Sequence, residues 1–214
     1  AKYGGRLSSV VNINSREGNK KDITGTAGIG LLTSRMNIEG PLIKDKSSFI
    51  IGARTTYANW LLKILPDQYE NSKANFYDLN LNITHEINKK NFIYLTGYLS
   101  ADQFNLNSDT AYGYGNKNIS LKWKHIFNSK FYTLFAAGYD YYRYDISSEK
   151  NPVNAYSLAF DINQVYFKNH YNYFINSKHT IEFGINSVFY KLHSGNYQPA
   201  GKESLVVPVI MQSE

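Results

Sequence analysis

Cysteine is absent from the 214-residue chain, which removes both a disulfide framework and any thiolate metal site and leaves an oxidising envelope open as a location. Long apolar runs are missing too. Nothing approaches the roughly 18 consecutive apolar residues of a transmembrane helix, so any passage through a bilayer has to be made by strands. No basic-then-apolar leader is present, and the chain opens inside a motif at Ala1 without an initiator Met, which marks it as a fragment of a longer protein. The formal charge is +6, yet no Arg-rich stripe or basic helix gathers that charge, which argues against nucleic acid as a partner. The five His, at 85, 125, 170, 179 and 193, never take the close, shared-face spacing of a zinc helix site, so no metal is expected. Nucleophile elbow, phosphate-cradling glycine loop and a forced acidic pair are also lacking. The chain reads as no enzyme and as needing no cofactor.

What is present is aromatic: 19 Tyr and 12 Phe, in a chain of negative mean hydropathy rich in Asn, Ser, Thr and Lys. Polar residues dilute the apolar content at nearly every second position, as a wall with one greasy and one wet face requires. The alternation is clearest from Tyr77 to Ile87, where Tyr77, Leu79, Leu81, Ile83, His85 and Ile87 interleave with Asp78, Asn80, Asn82, Thr84 and Glu86. Ile93, Leu95, Gly97, Leu99 and Ala101 repeat it, as do Ile119, Leu121 and Trp123, and Ile181, Phe183 and Ile185. On a helix these sets would be smeared round the cylinder, so the segments are strands.

Short turns at Ile43-Lys44-Asp45-Lys46, Asn88-Lys89-Lys90-Asn91, Asn128-Ser129-Lys130 and Asn176-Ser177-Lys178 recur every 40 to 48 residues. Longer connections alternate with them: Pro66 to Ala74, Asn105 to Asn116, Ser148 to Asn154 and Ser194 onward. This rhythm predicts eight strands, near 25–42, 47–63, 76–88, 91–104, 117–127, 131–147, 155–175 and 179–193. The segment from Phe131 to Ser147 would extend about 55 Å at ~3.3 Å per residue, further than a bilayer crossing needs. In outer-membrane barrels tight turns face the periplasm and long loops face outward, with aromatic girdles at the two interfaces. Phe49, Phe92, Phe127, Phe131, Tyr173 and Phe174 near the turns, and Trp60, Tyr141, Tyr142 and Tyr144 toward the loops, are read as those girdles. Ordinary sandwich core is the competing reading.

The opening Tyr3-Gly4-Gly5-Arg6-Leu7-Ser8-Ser9-Val10-Val11-Asn12-Ile13-Asn14-Ser15-Arg16 resembles the last plug strand of TonB-dependent outer-membrane receptors. Gly28-Ile29-Gly30-Leu31-Leu32-Thr33-Ser34-Arg35, Glu39-Gly40-Pro41, Lys44-Asp45-Lys46-Ser47-Ser48-Phe49 and Arg54-Thr55-Thr56-Tyr57 are similar to the first barrel hairpin of its SusC-like branch. One departure is visible: members compared often carry two adjacent Arg before Thr-Tyr, whereas Thr55 follows Arg54 here. The resemblance is dense over residues 3 to 60. It implies plug end at 1–19 and the N-terminal part of a transmembrane β-barrel at 20–214, about eight strands of a roughly 22-stranded barrel.

The family's work is energised uptake of a ligand too large for porins: a siderophore, cobalamin, a glycan or a peptide. The implied partners are outer-membrane lipid, the TonB complex through the plug region upstream of Ala1, and a surface substrate-binding lipoprotein. Arg6, Arg16, Arg35, Glu39 and Arg54 are expected to join plug to wall, because lumen charges crowded by a plug need partners. Tyr112 and Tyr114, taken as a loop, with Tyr69 and Tyr197 on neighbouring loops, are the candidate ligand contacts, since Tyr offers broad area and a polar tip at low rotamer cost. Two further readings stand beside this one: a small closed eight-stranded barrel of structural or adhesive role, and a soluble β-sandwich binding carbohydrate.

Overall fold

The computed structural model describes residues 9, 14–57, 59–64, 72–105 and 110–211. Their backbone is one antiparallel meander: β1 (Thr24–Ile29), β2 (Thr33–Ile43), β3 (Ser47–Thr56), a single helical turn α1 (Asn59–Leu62), β4 (Lys73–Asn88), β5 (Asn91–Asn105), β6 (Thr110–Asn128), β7 (Phe131–Ser148), β8 (Tyr156–Phe174), β9 (Thr180–Pro199) and β10 (Val209–Ile210). Each strand pairs with its neighbours in sequence, so the ten lie in the order β1 to β10, and the sheet is open, β1 and β10 forming its two margins.

The short turns are built by one repeated device. In three of them an Asn side chain accepts the backbone N–H two residues on: Asn88 from Lys90 at 3.0 Å, Asn128 from Lys130 at 2.9 Å and Asn176 from Lys178 at 2.9 Å. These are Asx turns, in which a side-chain carbonyl imitates a backbone one. The first turn instead places Asp45 at a φ of 61°, a left-handed conformation that Asp tolerates. The turns are also stitched to one another. Lys46, Lys90 and Lys130 offer their carbonyls to the N–H groups of Glu86, Ile126 and Phe174 on the following hairpin, at 2.8–2.9 Å. Register is thereby handed on from hairpin to hairpin at this end.

That register separates the two faces. One row across the sheet runs Ile51, Leu81, Gly97, Ile119, Tyr139, Val165, Phe189; the adjacent row runs Glu39, Ile50, Asn82, Thr96, Ser120, Gly138, Tyr166, Val188. Alternation puts every residue two apart on the first row's face, here the apolar face, or on the second row's, the polar face. Among the described residues, no second sheet or long helix packs on either. The only buried hydrophobic residues described are Ile50, Ala136 and Ala155, whereas Ile119, Phe167, Phe183, Ile185 and Phe189 stand exposed on the apolar face and Ser48, Asn82, Thr84 and Thr133 are buried. A sandwich buries its greasy faces against each other; this sheet does not.

Several sequence expectations need correction. The strand expected at 25–42 is two strands folded back at Gly30, whose N–H bonds the Thr33 carbonyl at 2.9 Å; the Gly-Leu-Leu run carries no conspicuous turn residue beyond that glycine. With this hairpin and the short β10 the count among the described residues is ten rather than eight, in an open order rather than a closed eight-stranded barrel. The strand expected at 47–63 stops at Thr56 and yields to α1, and β6 starts seven residues before 117. Within that extension, Tyr112-Gly113-Tyr114-Gly115 is strand, not loop, and Tyr197 likewise lies within β9. Gly and Tyr together suggest a turn locally, but pairing with β5 and β7 on both sides overrides the preference.

The girdle also divides. On the apolar face at the turn end, ring contacts run unbroken from Trp123 to His125 (5.8 Å), Phe127 (4.5 Å), Phe131 (4.7 Å), Tyr171 (5.9 Å) and Phe183 (5.1 Å), crossing β6 to β9. Asn91 fixes the start of this belt, taking the Trp123 indole N–H at 3.2 Å and meeting His125 Nδ1 at 2.8 Å. Phe49, Tyr173 and Tyr141 share this face, but Phe92, Phe174, Tyr142 and Tyr144 fall on the other, one residue out of phase with the belt.

Candidate functional site

The polar face carries two features, one toward the turns and one toward the long connections. The first is the segment 14–22, which lies against β2 to β4. Arg16 clamps Glu39 with both guanidinium nitrogens, Nη1 at 2.6 Å and Nη2 at 3.0 Å from its two oxygens, and the Asn19 N–H reaches the same carboxylate at 3.1 Å. Asn82 Nδ2 holds the Arg16 carbonyl at 2.7 Å, and Asp45 N–H bonds the Lys20 carbonyl at 3.0 Å. Between these ties the chain presses on the sheet: a Cβ on Gly18 would come within 2.4 Å of the Phe49 carbonyl oxygen. Only a residue without a side chain allows that approach. On the same face lie Ile50 and the Ser48–Thr84 hydroxyl pair at 2.9 Å, all three side chains buried. The Arg16 guanidinium is raised above its ordinary pKa, first by its hydrogen bond to Glu39 and then by that carboxylate's charge, with burial opposing.

Of the five residues expected to join plug and wall, Arg16 and Glu39 therefore form a pair. Arg35 and Arg54 stand opposite each other on the same face as Glu39, but Arg54 turns to Asp78 (Nε 2.8 Å, Nη2 2.7 Å) and lies over the Phe76 ring at 4.8 Å. Arg35 makes no ion pair among the described residues. Arg6 lies outside the described residues, as does most of the segment expected to end the plug, whose last residues, Asn14 to Arg16, are not strand.

The second feature is aromatic. Tyr112 and Tyr114 on β6 converge on Tyr144 of β7, with ring centroids 6.4 and 4.9 Å from it, and Tyr144 meets Phe160 of β8 edge-on at 5.0 Å. Tyr142 joins at 6.3 Å from Phe160. Cross-strand register does this: Asp102, Tyr114, Tyr144 and Phe160 are successive members of one row on β5 to β8. The result is a platform of four phenol rings and one benzyl ring on the polar face, in the loop-side half. Flat rings with hydroxyl tips can stack on the C–H face of a sugar or on another aromatic ring while bonding its polar rim. Polar side chains continue the surface toward the turns. Asn116 Nδ2 reaches Ser100 Oγ at 3.0 Å, Gln164 Nε2 reaches Asp140 at 2.9 Å, and Asn118 bonds the same Asp140.

The sequence pattern singles out Tyr112 and Tyr114 but places them on a loop, puts Tyr144, the hub, in a girdle, and does not mark Phe160. The available signal was phase. In Phe131 to Ser147 the even-numbered residues share a face with Asp140, so Tyr142 and Tyr144 belong with the polar set. Tyr197 pairs with Tyr156 at 5.0 Å, further out on the same face, and does not join the platform. Tyr69 lies outside the described residues. A separate cavity of about 730 Å³, with Arg143, Asp145, Asp161 and His193 in its lining, opens on the opposite face. Its polar groups are already paired, Arg143 with Asp145 at 2.7 Å and His193 Nδ1 with Asp161 at 2.8 Å. Among the described residues no group of three metal-ligating side chains occurs, and no helix is long and apolar enough to cross a membrane.

No family model, curated protein or solved structure matches the chain.

Proposed function

We propose that this chain is part of the wall of a TonB-dependent outer-membrane receptor, which binds a large ligand at its outer mouth and imports it with energy delivered through a plug. The reading rests on one observation: a sheet of long strands with an uncovered apolar face, edged at the turn end by a continuous aromatic belt, and a polar face on which an N-terminal segment is laid. An apolar face of this kind is stable in contact with lipid tails, and the belt suits the headgroup boundary. The plug-like opening and the Arg16–Glu39 tie supply the second element, a segment held inside the wall. In this reading the sheet continues into further strands of the receptor, the TonB complex acts through plug sequence upstream, and a surface lipoprotein that captures substrate is a fitting partner for the SusC-like branch.

The experiment is uptake by Gram-negative cells expressing the full receptor. They are offered a ferric siderophore, cobalamin, an oligosaccharide and a peptide in radiolabelled form. One of these accumulates, and collapse of the proton-motive force stops it; accumulation that survives collapse refutes energised transport. For the ligand that accumulates, Tyr144→Ala weakens equilibrium binding about tenfold, since aromatic contacts of this kind contribute roughly 1 kcal/mol or somewhat more. Tyr197→Ala has a smaller effect. Unchanged binding in the Tyr144 variant removes the platform from the site.

A further inference from the structure

The four short turns carry six lysines, Lys44, Lys46, Lys89, Lys90, Lys130 and Lys178, against a single acid within them, Asp45, with Glu86 beside Lys46 at the end of β4. All six are exposed, and none forms a salt bridge among the described residues; the Lys130 ammonium reaches only the Ile175 carbonyl, at 3.4 Å. Elsewhere Arg54 pairs with Asp78 and Arg143 with Asp145, while the strand lysines Lys117, Lys124 and Lys168 lie over Tyr rings. The asymmetry coincides with the aromatic belt. Lys130 sits between Phe127 and Phe131, whose rings stack at 4.7 Å. Asn91, which holds Trp123 and His125 in the belt, immediately follows Lys89 and Lys90. The turns with Lys89 and Lys90, Lys130 and Lys178 thus place ammonium groups just beyond the rings of the belt, and Lys44 and Lys46 lie beyond Phe49 of β3.

We propose that this lysine rim binds the phosphate groups of anionic phospholipids in the leaflet that the short turns adjoin, fixing the depth of the wall. The inference rests on the membrane reading above. Aromatic rings settle at the headgroup boundary, and a lysine one or two residues further out reaches phosphate depth by extending its stem. Repetition from turn to turn makes the contact polyvalent, which a single turn would not achieve.

The test folds the full chain from urea into vesicles of phosphatidylcholine alone or with one quarter phosphatidylglycerol, at roughly 0.05 M and 0.5 M salt. Insertion is followed by tryptophan emission. The expected preference for the anionic vesicles at low salt is about 100-fold in partition coefficient, from several lysines each favoured near an anionic surface. It disappears at high salt and in a variant with all six lysines changed to Gln, while the variant enters the neutral vesicles as the parent does. Inorganic phosphate lowers the preference no more than chloride of equal ionic strength; a specific effect of phosphate would make the rim a free-anion site and overturn the lipid assignment. Equal partitioning of the parent into both vesicles, or a preference kept by the Gln variant, overturns the proposal and leaves the membrane reading standing. A chain that enters neither vesicle overturns both.

Discussion

Ile185→Arg is expected to lower the stability of the membrane-inserted chain by about 2–4 kcal/mol, the cost of an arginine facing lipid near the bilayer midplane. Asn186→Arg, one residue along, is expected to cost under about 1 kcal/mol, as an exposed substitution in a hydrated interior does. The pair isolates the face from everything else. Both positions are exposed in the first half of β9, Ile185 is 76% exposed, and among the described residues neither side chain has a hydrogen-bond partner to lose. Ile185 lies midway between Ile181 and Phe189, the limits of the apolar stretch of this strand, beyond which Lys191 and His193 take over the same face. The one complication works against the prediction: Asn186 is in register with Lys168, so its arginine meets a like charge, which water screens. Equilibrium urea titration of the chain in vesicles measures both. Equal losses at the two positions would sink the assignment of the apolar face to lipid, and with it the receptor.

Strand identity and face were legible in the sequence because period two is a local property. Tyr77 to Ile87 and Ile93 to Ala101 declare their faces without reference to any partner, and register then followed from turns whose Asn and Lys are visible as residues. What stayed hidden depends on pairing across strands. Tyr112-Gly113-Tyr114-Gly115 reads as a loop until β5 and β7 flank it with hydrogen-bonding edges. The convergence of Tyr112, Tyr114, Tyr144 and Phe160 needs the register of three ladders at once. Gly30 ends β1 through a single backbone hydrogen bond, which composition does not announce. That Arg35, Glu39 and Arg54 share one face was legible from period two, but their partners were not. Arg54 takes Asp78, which is far in sequence and adjacent only through the β3–β4 ladder.

Glu39→Ala should release the segment 14–22 from the wall. The carboxylate receives three hydrogen bonds, two from Arg16 and one from the Asn19 N–H, and its loss leaves Asn19 N–H without an acceptor on a partly covered surface. The Arg16 side chain is 65% exposed and that of Glu39 18%, so solvent screens much of the charge attraction, and the expected local loss is about 1–2 kcal/mol. In hydrogen exchange this appears as a rise of roughly tenfold in the rate at Asn19 and at Asp45, whose N–H is held by the Lys20 carbonyl. The amides of Lys90 and Lys130, tied into their own Asx turns, should not change. Glu39→Gln retains an acceptor for Asn19 and one neutral contact for Arg16, so it should fall between the two. Gly18→Ala attacks the same contact from the other side by driving a methyl group toward the Phe49 carbonyl, and should speed exchange at the same amides while Glu39 remains intact. In the full receptor the Glu39→Ala variant should also leak small solutes across the outer membrane, because a segment that comes off the wall opens a path beside the plug. Faster exchange with unchanged leakage would leave the segment as a latch on the wall and deny it a part in sealing the pore.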